Sequence, residues 1–493
     1  MGWSIVPADV GIEGGTSVLL RKSTKRWGTI GALLTLVLVG CGPQSGEGDV
    51  AGPSAEAPSV GGPATGVGVT GDTPSVLLIV LDTFRADALG SYGNPLAETP
   101  HLDGLAEGGV LFENAMAQAP ATGPSVASIL TARYPVEHGV LHSTLELVDD
   151  EVTAAEVFAQ AGHRTAAFVS CSILKRDYGF SQGFDTFDDT FETPYMGNHL
   201  EQDGRVTVDK ALEWLNEDPE RPFFALVHLF DAHAPYVQHD GDRPIDPKMG
   251  DPEFLRTFEA NPGGVDEILP EVQALYRSEV AHIDRQVGRL LGALETLGLS
   301  QDTVVAVVAD HGEELFDHDG YFAHYKSLYG SVLHVPMILH GPPWLPQGRR
   351  IDSLVETVDL LPTVFEVVGL AFPSETSGRG LLAQIQQDGA PRGRRFARAQ
   401  REPYEDLEGG LALAIRSQRY KLIAFAEAPD RLFDLHQDPG ELEDLAPQLP
   451  DVVARLRTEL DPWWEALGQA GETDQGQLPA KDFEVLESLG YVQ

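Results

Sequence analysis

The chain has few cysteines and few basic residues for its length of 493 residues. Its only cysteines are Cys41 and Cys171, so no disulfide can form within the domain if Cys41 carries a lipid. Lys and Arg number 34 against 75 Asp and Glu, which gives a formal net charge of -41. Because nucleic-acid binding depends on basic patches that contact phosphates, we expect no nucleic acid as a partner.

The apolar run near the amino terminus is too short to be a typical membrane span. It extends over residues 30–39 and is followed by Cys41, whereas a spanning helix needs about 20 apolar residues. Four basic residues precede it: Arg21, Lys22, Lys25 and Arg26. We therefore interpret residues 1–40 as a lipoprotein signal peptide and Cys41 as the lipidated first residue, with a transmembrane anchor as the alternative. This predicts secretion across the inner membrane and lipid anchoring in the bacterial cell envelope.

Residues 41–74 have almost no large apolar side chains. They are rich in Gly, Pro, Ser, Ala and Thr. The little apolar surface that these residues could bury cannot offset the conformational entropy that the chain would lose on folding. We expect a disordered tether between the anchor and the folded protein.

Strands and helices alternate from residue 75 onwards. Buried strands are predicted at 75–81, 164–170, 223–229, 304–308 and 337–342, and helices at 151–161, 208–215, 271–297 and 358–368. This alternation predicts an α/β fold, in which helices sandwich a large, mostly parallel sheet over residues 75–394. Residues 395–493 change to short alternating strands followed by a helix at 451–467, which predicts a small C-terminal antiparallel sheet with one covering helix.

Two of the predicted strands end in acidic residues. Asp82 and Thr83 follow the first strand, and Asp310 and His311 follow the strand at 304–308. Ligands in open α/β sheets collect at the carboxyl ends of strands, so these side chains are expected to meet. Two carboxylates and one imidazole suit one divalent metal ion, with Mn, Zn or Fe favoured by the imidazole and Ca as the alternative.

A hydroxyl residue, Thr122, lies two residues before a Pro-Ser step that opens an apolar helix. A helix N-terminus offers free N–H groups to an anion, and a metal ion would lower the pKa of a nearby hydroxyl. This makes Thr122 a candidate nucleophile. The alternative is an ordinary loop in which Ser125 caps the helix.

The order of motifs resembles the sulfatase family of the alkaline phosphatase superfamily. The motifs are LDTFRAD, PxxxPSxASxLTxRYPxxHGV, PFFxxxHxxDxHxPY, ADHGEE and HxKSLYxxxxxVPMIL. The resemblance covers nearly all of the chain after residue 75. It implies an alkaline-phosphatase-like fold and metal-dependent hydrolysis of a sulfuric or phosphoric ester carried by a small molecule, a glycan or a lipid head group.

The resemblance also implies roles for residues outside the strand ends. His233 is expected on the leaving-group side and Lys326 at the ester oxyanion. His318 and His324 are weaker candidates for residues of the active site. His228 and Thr83 are expected to support substrate binding. Glu313 and Glu314 are interpreted as solvated charges at the start of a helix.

The sequence departs from the sulfatase pattern at the nucleophile. Sulfatases carry Cys or Ser where this chain has Thr122, and Arg where it has Val126. Threonine cannot be oxidised to formylglycine, so that cofactor is excluded here. The second signature of the family has no convincing match near residues 170–175. Asp followed by His at the metal is the pattern of phosphonate monoester hydrolases and other phosphoryl-transferring relatives, some of which use threonine as nucleophile.

These features predict an ester hydrolase with Thr122 as nucleophile. A threonine ester must be opened by water attacking sulfur or phosphorus, which phosphorus tolerates well, so a phosphodiesterase or phosphonate monoester hydrolase is one alternative. A phospho-head-group transferase, an inactive cell-surface binding protein and a purely structural envelope lipoprotein are the others. Specificity is expected to depend on the loops at 198–206 and 238–265.

Overall fold

The computed structural model describes residues 73–191, 201–239, 244–259, 263–318, 320–373, 375–387, 393–402 and 409–470. The predicted signal peptide, Cys41 and nearly all of the tether lie outside these residues, as do parts of both specificity loops. Among the described helices, none combines the length and the apolar character that crossing a bilayer requires.

The strands are β1 (Ser75–Leu81), β2 (Val110–Met116), β3 (Arg164–Phe168), β4 (Thr186–Asp188), β5 (Phe223–Leu229), β6 (Thr303–Ala309), β7 (Glu314–Leu315), β8 (Phe322–Ala323), β9 (Met337–His340), β10 (Arg349–Glu356), β11 (Ala397–Arg401), β12 (Ala412–Arg416), β13 (Tyr420–Phe425) and β14 (Arg431–Asp434). The α-helices are α1 (Pro100–Gly108), α2 (Thr122–Thr131), α3 (Pro135–His138), α4 (Ala154–Gln160), α5 (Gly204–Glu217), α6 (Pro252–Arg256), α7 (Val265–Thr296), α8 (Gly330–Leu333), α9 (Leu360–Val368), α10 (Leu382–Gln386), α11 (Pro450–Thr458) and α12 (Asp461–Ala470). Short 3-10 turns occur at Ala86–Ala88, Gly90–Tyr92, Ser172–Leu174, Arg176–Tyr178, Pro247–Gly250 and Thr357–Asp359.

The large sheet has eight strands in the order β10-β2-β9-β6-β1-β5-β3-β4. Every residue of β1, β5 and β6 is buried, as expected for parallel strands that are covered by helices on both faces. β1 pairs in parallel with both neighbours, and Leu81 lies opposite Leu229 on β5 and Ala309 on β6. The three strands therefore end at the same level, and the residues that follow them meet at one edge of the sheet.

The prediction of a mostly parallel sheet is confirmed, and β9 is the exception among the described strands. It runs antiparallel to both β2 and β6, whereas the other pairs in this sheet are parallel. The apolar composition of a short strand such as MILH is compatible with parallel and with antiparallel pairing. The sequence therefore predicts the strand but not its direction.

Two helices differ from their predictions at a proline, while α4, α5 and α9 differ from their predicted bounds by a few residues. α7 begins at Val265 and continues through Pro270, whereas the predicted helix begins just after this proline. The single helix predicted at 451–467 is instead the pair α11 and α12. Pro462 lacks the N–H that would continue α11, and it fits the first turn of a new helix.

The small C-terminal sheet is antiparallel in the order β11-β12-β13-β14, which confirms the prediction for this part of the chain. Its apolar face packs against α11 and α12. The buried residues of this second core include Leu413, Ile415, Leu422, Leu432, Leu456, Leu460 and Trp463. The sequence did not predict β11, which pairs with β12.

The C-terminal sheet also holds the segment that precedes β9. The Lys421 ammonium on β13 lies 2.9 Å from a Glu441 carboxylate oxygen, and both side chains are buried. Glu441 in turn accepts a hydrogen bond from the backbone N–H of Gly330. Arg401 on β11 donates to the carbonyl of Lys326 at 2.7 Å. The backbone of the segment between β6 and β9 is thus held at two points, Lys326 and Gly330.

Candidate active site

Three predicted metal ligands converge where β1 and β6 end. One donor atom from each of Asp82, Asp310 and His311 lies within 4.8 Å of the others, and all three side chains are fully buried. Asp310 Oδ1 accepts hydrogen bonds from the backbone N–H groups of Thr83 (3.3 Å) and His311 (2.7 Å). Asp82 Oδ1 and Asp310 Oδ2 have no hydrogen-bond partner among the described residues.

The charges at this point fit a divalent cation. Burial, reinforced by the neighbouring charge of Asp82, raises the pKa of Asp310 to about 7. Burial opposes ionisation of Asp82 as well, but the imidazoles of His228 and His311 lower its pKa. Two buried carboxylates with unpaired oxygens are costly unless a cation neutralises them. Asp82, Asp310 and His311 are therefore suited to hold a metal ion.

The imidazole of His311 is oriented for ligation. Its Nδ1 lies 3.0 Å from the carbonyl oxygen of Gly312, which can only accept, so Nδ1 carries the proton. This leaves the lone pair of Nε2 directed toward the carboxylates, 3.6 Å from Asp310 Oδ2. A second hydrogen bond that fixes the tautomer is typical of metal-binding histidines.

Thr122 contacts two of the three ligands. It is the first residue of α2, and its Oγ1 donates to Asp82 Oδ2 at 3.1 Å and lies 3.4 Å from His311 Nε2. The alternative in which Ser125 caps this helix is wrong. Ala121 occupies the N-cap position, and Ser125 lies inside the helix and donates to the Ala119 carbonyl. The site is thus placed at the positive end of the α2 dipole.

A group of imidazoles lies beside the triad. The ring centroid of His324 is 4.3 Å from that of His311 and 5.2 Å from that of His233. On the other side, His228 Nε2 is 3.3 Å from Asp82 Oδ2. The structure therefore brings His233 and His228 to the site. It also places His324, which was only a weaker candidate by resemblance, between His311 and His233.

Lys326 and Thr83 lie in different environments. The Lys326 ammonium lies 3.0 Å from Glu259 Oε2, on the wall of a cavity shared with the C-terminal sheet. Thr83 adopts a left-handed backbone conformation with φ 48°, which is uncommon for a β-branched residue. In this conformation the N–H of Thr83 donates a hydrogen bond to Asp310. The Thr83 hydroxyl is buried and has no hydrogen-bond partner among the described residues.

The interpretation of Glu313 and Glu314 as solvated charges is wrong, because both side chains are fully buried. Glu313 accepts from the Tyr236 hydroxyl at 3.1 Å and lies 2.9 Å from His324 Nδ1. Glu314 accepts from two serine hydroxyls, those of Ser327 and Ser331. The β7–β8 hairpin folds this acidic pair inward. Tyr236 lies 77 residues away from Glu313, whereas His324, Ser327 and Ser331 belong to the segment that follows the pair.

The structure adds Arg256, which the sequence did not single out. Arg256 ends α6 and lines a narrow pocket that also includes His233, His324, Glu313 and Tyr325. Its Nε is buried, and within the described part of the chain it has no hydrogen-bond partner. Arg256 thus brings a cation to the side of the site where the imidazoles lie. It belongs to the predicted specificity loop at 238–265, whose individual residues carry no motif.

Cys171 is buried, and its thiol lies within 4.8 Å of donor atoms of Asp82 and His228. Burial, together with the charge of Asp82, raises the pKa of this thiol well above its usual value. A protonated thiol is a poor metal ligand. The set formed by Asp82, Asp310 and His311 is therefore the better candidate for a metal ion near Thr122.

Known proteins share both the sequence pattern and the fold. The Sulfatase family model matches residues 74–370, and the model described as N-sulphoglucosamine sulphohydrolase, C-terminal, matches residues 317–465. An ulvan-active sulfatase of Formosa agariphila is 28% identical over 419 residues, covering 79% of this chain and 80% of that protein. A Delta 4,5-hexuronate-2-O-sulfatase of Bacteroides thetaiotaomicron is 25% identical, covering 79% and 88%.

Solved structures show the same architecture. The phosphonate monoester hydrolase of Agrobacterium radiobacter superposes with a TM-score of 0.65 at 21% identity, covering 80% of this chain and 96% of that one. A 2-O GAG sulfatase gives a TM-score of 0.66 at 22% identity, covering 81% and 93%. Since the family model spans more than half of the sequence, the chain belongs to the sulfatase family, a family of ester hydrolases within the alkaline phosphatase superfamily.

Proposed function

We propose that this chain hydrolyses a phosphoric or sulfuric ester, with Thr122 as the covalent nucleophile beside a divalent metal ion held by Asp82, Asp310 and His311. The observation that carries the proposal is the position of the Thr122 hydroxyl, 3.1 Å from Asp82 Oδ2 and 3.4 Å from His311 Nε2. The imidazole favours Mn, Zn or Fe, with Ca as the alternative.

The residues around Thr122 have distinct tasks in this proposal. Asp82 Oδ2 accepts the hydroxyl hydrogen bond and orients Oγ1 for attack on sulfur or phosphorus in line with the leaving alcohol. A bound divalent ion would lower the pKa of this hydroxyl and neutralise charge on the ester oxygens. His233 Nδ1 lies 2.6 Å from the Ala234 carbonyl, a contact that fixes the ring on the leaving-group side. Water then opens the threonine ester at phosphorus or sulfur.

A phosphodiester or phosphonate ester is favoured over a sulfate ester. The second step requires direct displacement at the central atom, which phosphorus tolerates when cations hold the equatorial oxygens. Val126 is buried in α2 where sulfatases have arginine, so this helix offers no cation to a doubly charged phosphate monoester, and a singly charged diester or phosphonate ester fits better. Arg256 is the cation available from the other side. Relatives named as sulfatases of ulvan and of a hexuronate support a glycan as the alcohol.

A substrate panel tests the proposal. Purified full-length protein is assayed with aryl sulfate, phosphate monoester, phosphodiester and phosphonate substrates in the presence of Mn, Zn, Fe or Ca. The expected result is the highest kcat/KM with a phosphodiester or phosphonate. A rise in turnover on adding an alcohol acceptor would favour the transferase. Binding of a metal ion without turnover of any substrate would favour a binding protein.

Arg256→Met is expected to raise KM about 10- to 100-fold with a smaller change in kcat. The reason is that a charged hydrogen bond to an ester oxygen contributes about 1.5–3 kcal/mol. Arg256→Lys should recover part of the loss. The control is Arg205→Met, because Arg205 is 58% exposed and pairs with Asp209 on the surface. Equal KM values for Arg256→Met and the control would remove Arg256 from substrate binding.

We also propose that Cys41 carries the lipid that anchors the protein in the cell envelope. Cys41→Ser is expected to move the protein from the membrane fraction to the soluble fraction, because acylation supplies the membrane affinity. Cys171→Ala is the matched control and should leave fractionation unchanged, since Cys171 is buried in the fold. A Cys41→Ser protein that stays with membranes would contradict the proposed anchor.

A further inference from the structure

We infer that Asp203, Asp231 and His282 form a second divalent-cation site, separate from the triad beside Thr122. Asp203 is the N-cap of α5, Asp231 follows β5, and His282 lies in the middle of α7. One donor atom from each lies within 4.8 Å of the others. We call these three residues the α5–α7 cluster.

The spacing of the α5–α7 cluster suits a metal ion. His282 Nε2 lies 3.3 Å from Asp203 Oδ1 and 3.5 Å from Asp231 Oδ1. Two ligands at about 2.0–2.2 Å from one Zn²⁺ lie about 3.4 Å apart in a tetrahedral arrangement. One imidazole and two carboxylates are the ligand types that zinc, manganese and iron share. Asp203 keeps a 30% exposed side chain, which gives an ion a path from solvent.

A buried oxygen with no partner is the independent indication of a ligand. The Asp231 side chain is only 5% exposed, and its Oδ1 accepts from the Gly204 N–H at 2.9 Å. Its Oδ2 has no hydrogen-bond partner among the described residues. A buried carboxylate oxygen left unpaired is costly, and a cation would satisfy it. Gly204 permits this arrangement, because a Cβ there would stand 2.4 Å from Asp231 Oδ2.

Two further acidic side chains and a second imidazole lie close to the α5–α7 cluster. The His239 ring stacks on that of His282 at 3.9 Å, and His239 Nε2 lies 2.5 Å from Glu279 Oε2. Glu201 is also buried, with an Oε1 that has no described partner. Four acidic side chains and two imidazoles therefore lie within electrostatic range of one another: Glu201, Asp203, Asp231 and Glu279 with His239 and His282. A divalent ion held by Asp203, Asp231 and His282 would join α5 and α7 to the loop that carries His233.

Counting bound ions tests this site. Purified full-length protein is stripped with a chelator, equilibrated with Mn²⁺ or Zn²⁺, freed of excess metal and analysed for metal per chain. The wild type is expected to hold two ions, His282→Ala one, Asp310→Ala one, and the double variant none. A wild type with a single ion that Asp310→Ala removes would overturn the second site. A single ion that only His282→Ala removes would support the second site and contradict the triad.

A milder variant covers the case in which His282→Ala fails to fold. Asp203→Asn keeps the shape of a partly exposed side chain. It is expected to lower the affinity for the second ion at least about 10-fold in a metal titration. The matched control is Asp209→Asn, which changes a carboxylate that is 48% exposed on the same helix. The control should retain two ions. Equal affinity for the second ion in Asp203→Asn and Asp209→Asn would overturn the second site.

Discussion

Thr122→Val is expected to lower kcat for the preferred ester by about a thousandfold or more, because the loss of a covalent nucleophile has effects of this size. Valine keeps the shape of threonine and removes only the hydroxyl that contacts Asp82 and His311. Thr122→Ser keeps the hydroxyl and should retain appreciable activity. Steady-state kinetics with matched metal content would measure both effects.

The control for this experiment lies at the other end of the same helix. Thr131 is equally buried, and its hydroxyl donates to the Ala127 carbonyl at 2.7 Å, away from the triad. Thr131→Val should therefore leave kcat within a few-fold of the wild type, apart from any loss of stability. Near-normal turnover by Thr122→Val would rule out the covalent mechanism. In that event the attacking group would be water.

Thr122→Cys gives a further outcome in a host that installs formylglycine. We expect weak or no sulfatase activity from this variant, because Val126 leaves α2 without the arginine that accompanies the aldehyde in sulfatases. Strong sulfate hydrolysis would show instead that the pocket still accepts sulfate esters.

Asp310→Ala is expected to remove the ion beside Thr122 and to abolish turnover. The substitution leaves one carboxylate and one imidazole, which is too small a ligand set to neutralise a divalent cation. It also removes the acceptor that Thr83 and His311 share through their backbone N–H groups. Metal analysis and kinetics on the same preparation would measure both losses.

Asp302→Ala is the matched control for Asp310→Ala. Asp302 directly precedes β6, at the opposite end of the strand that delivers Asp310, and its side chain is exposed. This variant should keep full metal content and normal turnover. Retention of the full number of ions by Asp310→Ala would place the metal site elsewhere.

The strands that build the site could be predicted because they are continuous apolar runs. β1 and β5 have the predicted bounds, and β6 extends the prediction by one residue at each end. Their parallel pairing brings Asp82 and Asp310 to one edge, which follows from strand direction alone. The direction of β9 could not be predicted, since it depends on pairing with strands far away in the sequence.

The side chains around the triad were less predictable than the triad itself. Glu313 and Glu314 follow the Asp-His motif in a polar stretch that looks solvent-exposed, yet both are covered through the β7–β8 hairpin. Arg256 reaches the site from a helix of five residues inside a long loop. Such residues are defined by three-dimensional contacts, and no spacing rule connects them to the strand ends.

The contacts between the C-terminal region and the segment between β6 and β9 limit which parts of related chains can be exchanged in a chimera. Lys421, Glu441 and Arg401 hold backbone groups at Lys326 and Gly330, close in sequence to His324. A chimera that takes residues 397–441 from a relative would replace these anchors and is expected to loosen His324 in the candidate active site. We therefore expect a functional chimera to take the segment between β6 and β9 and the C-terminal region from the same protein, although about 70 residues separate Gly330 from Arg401 along the chain.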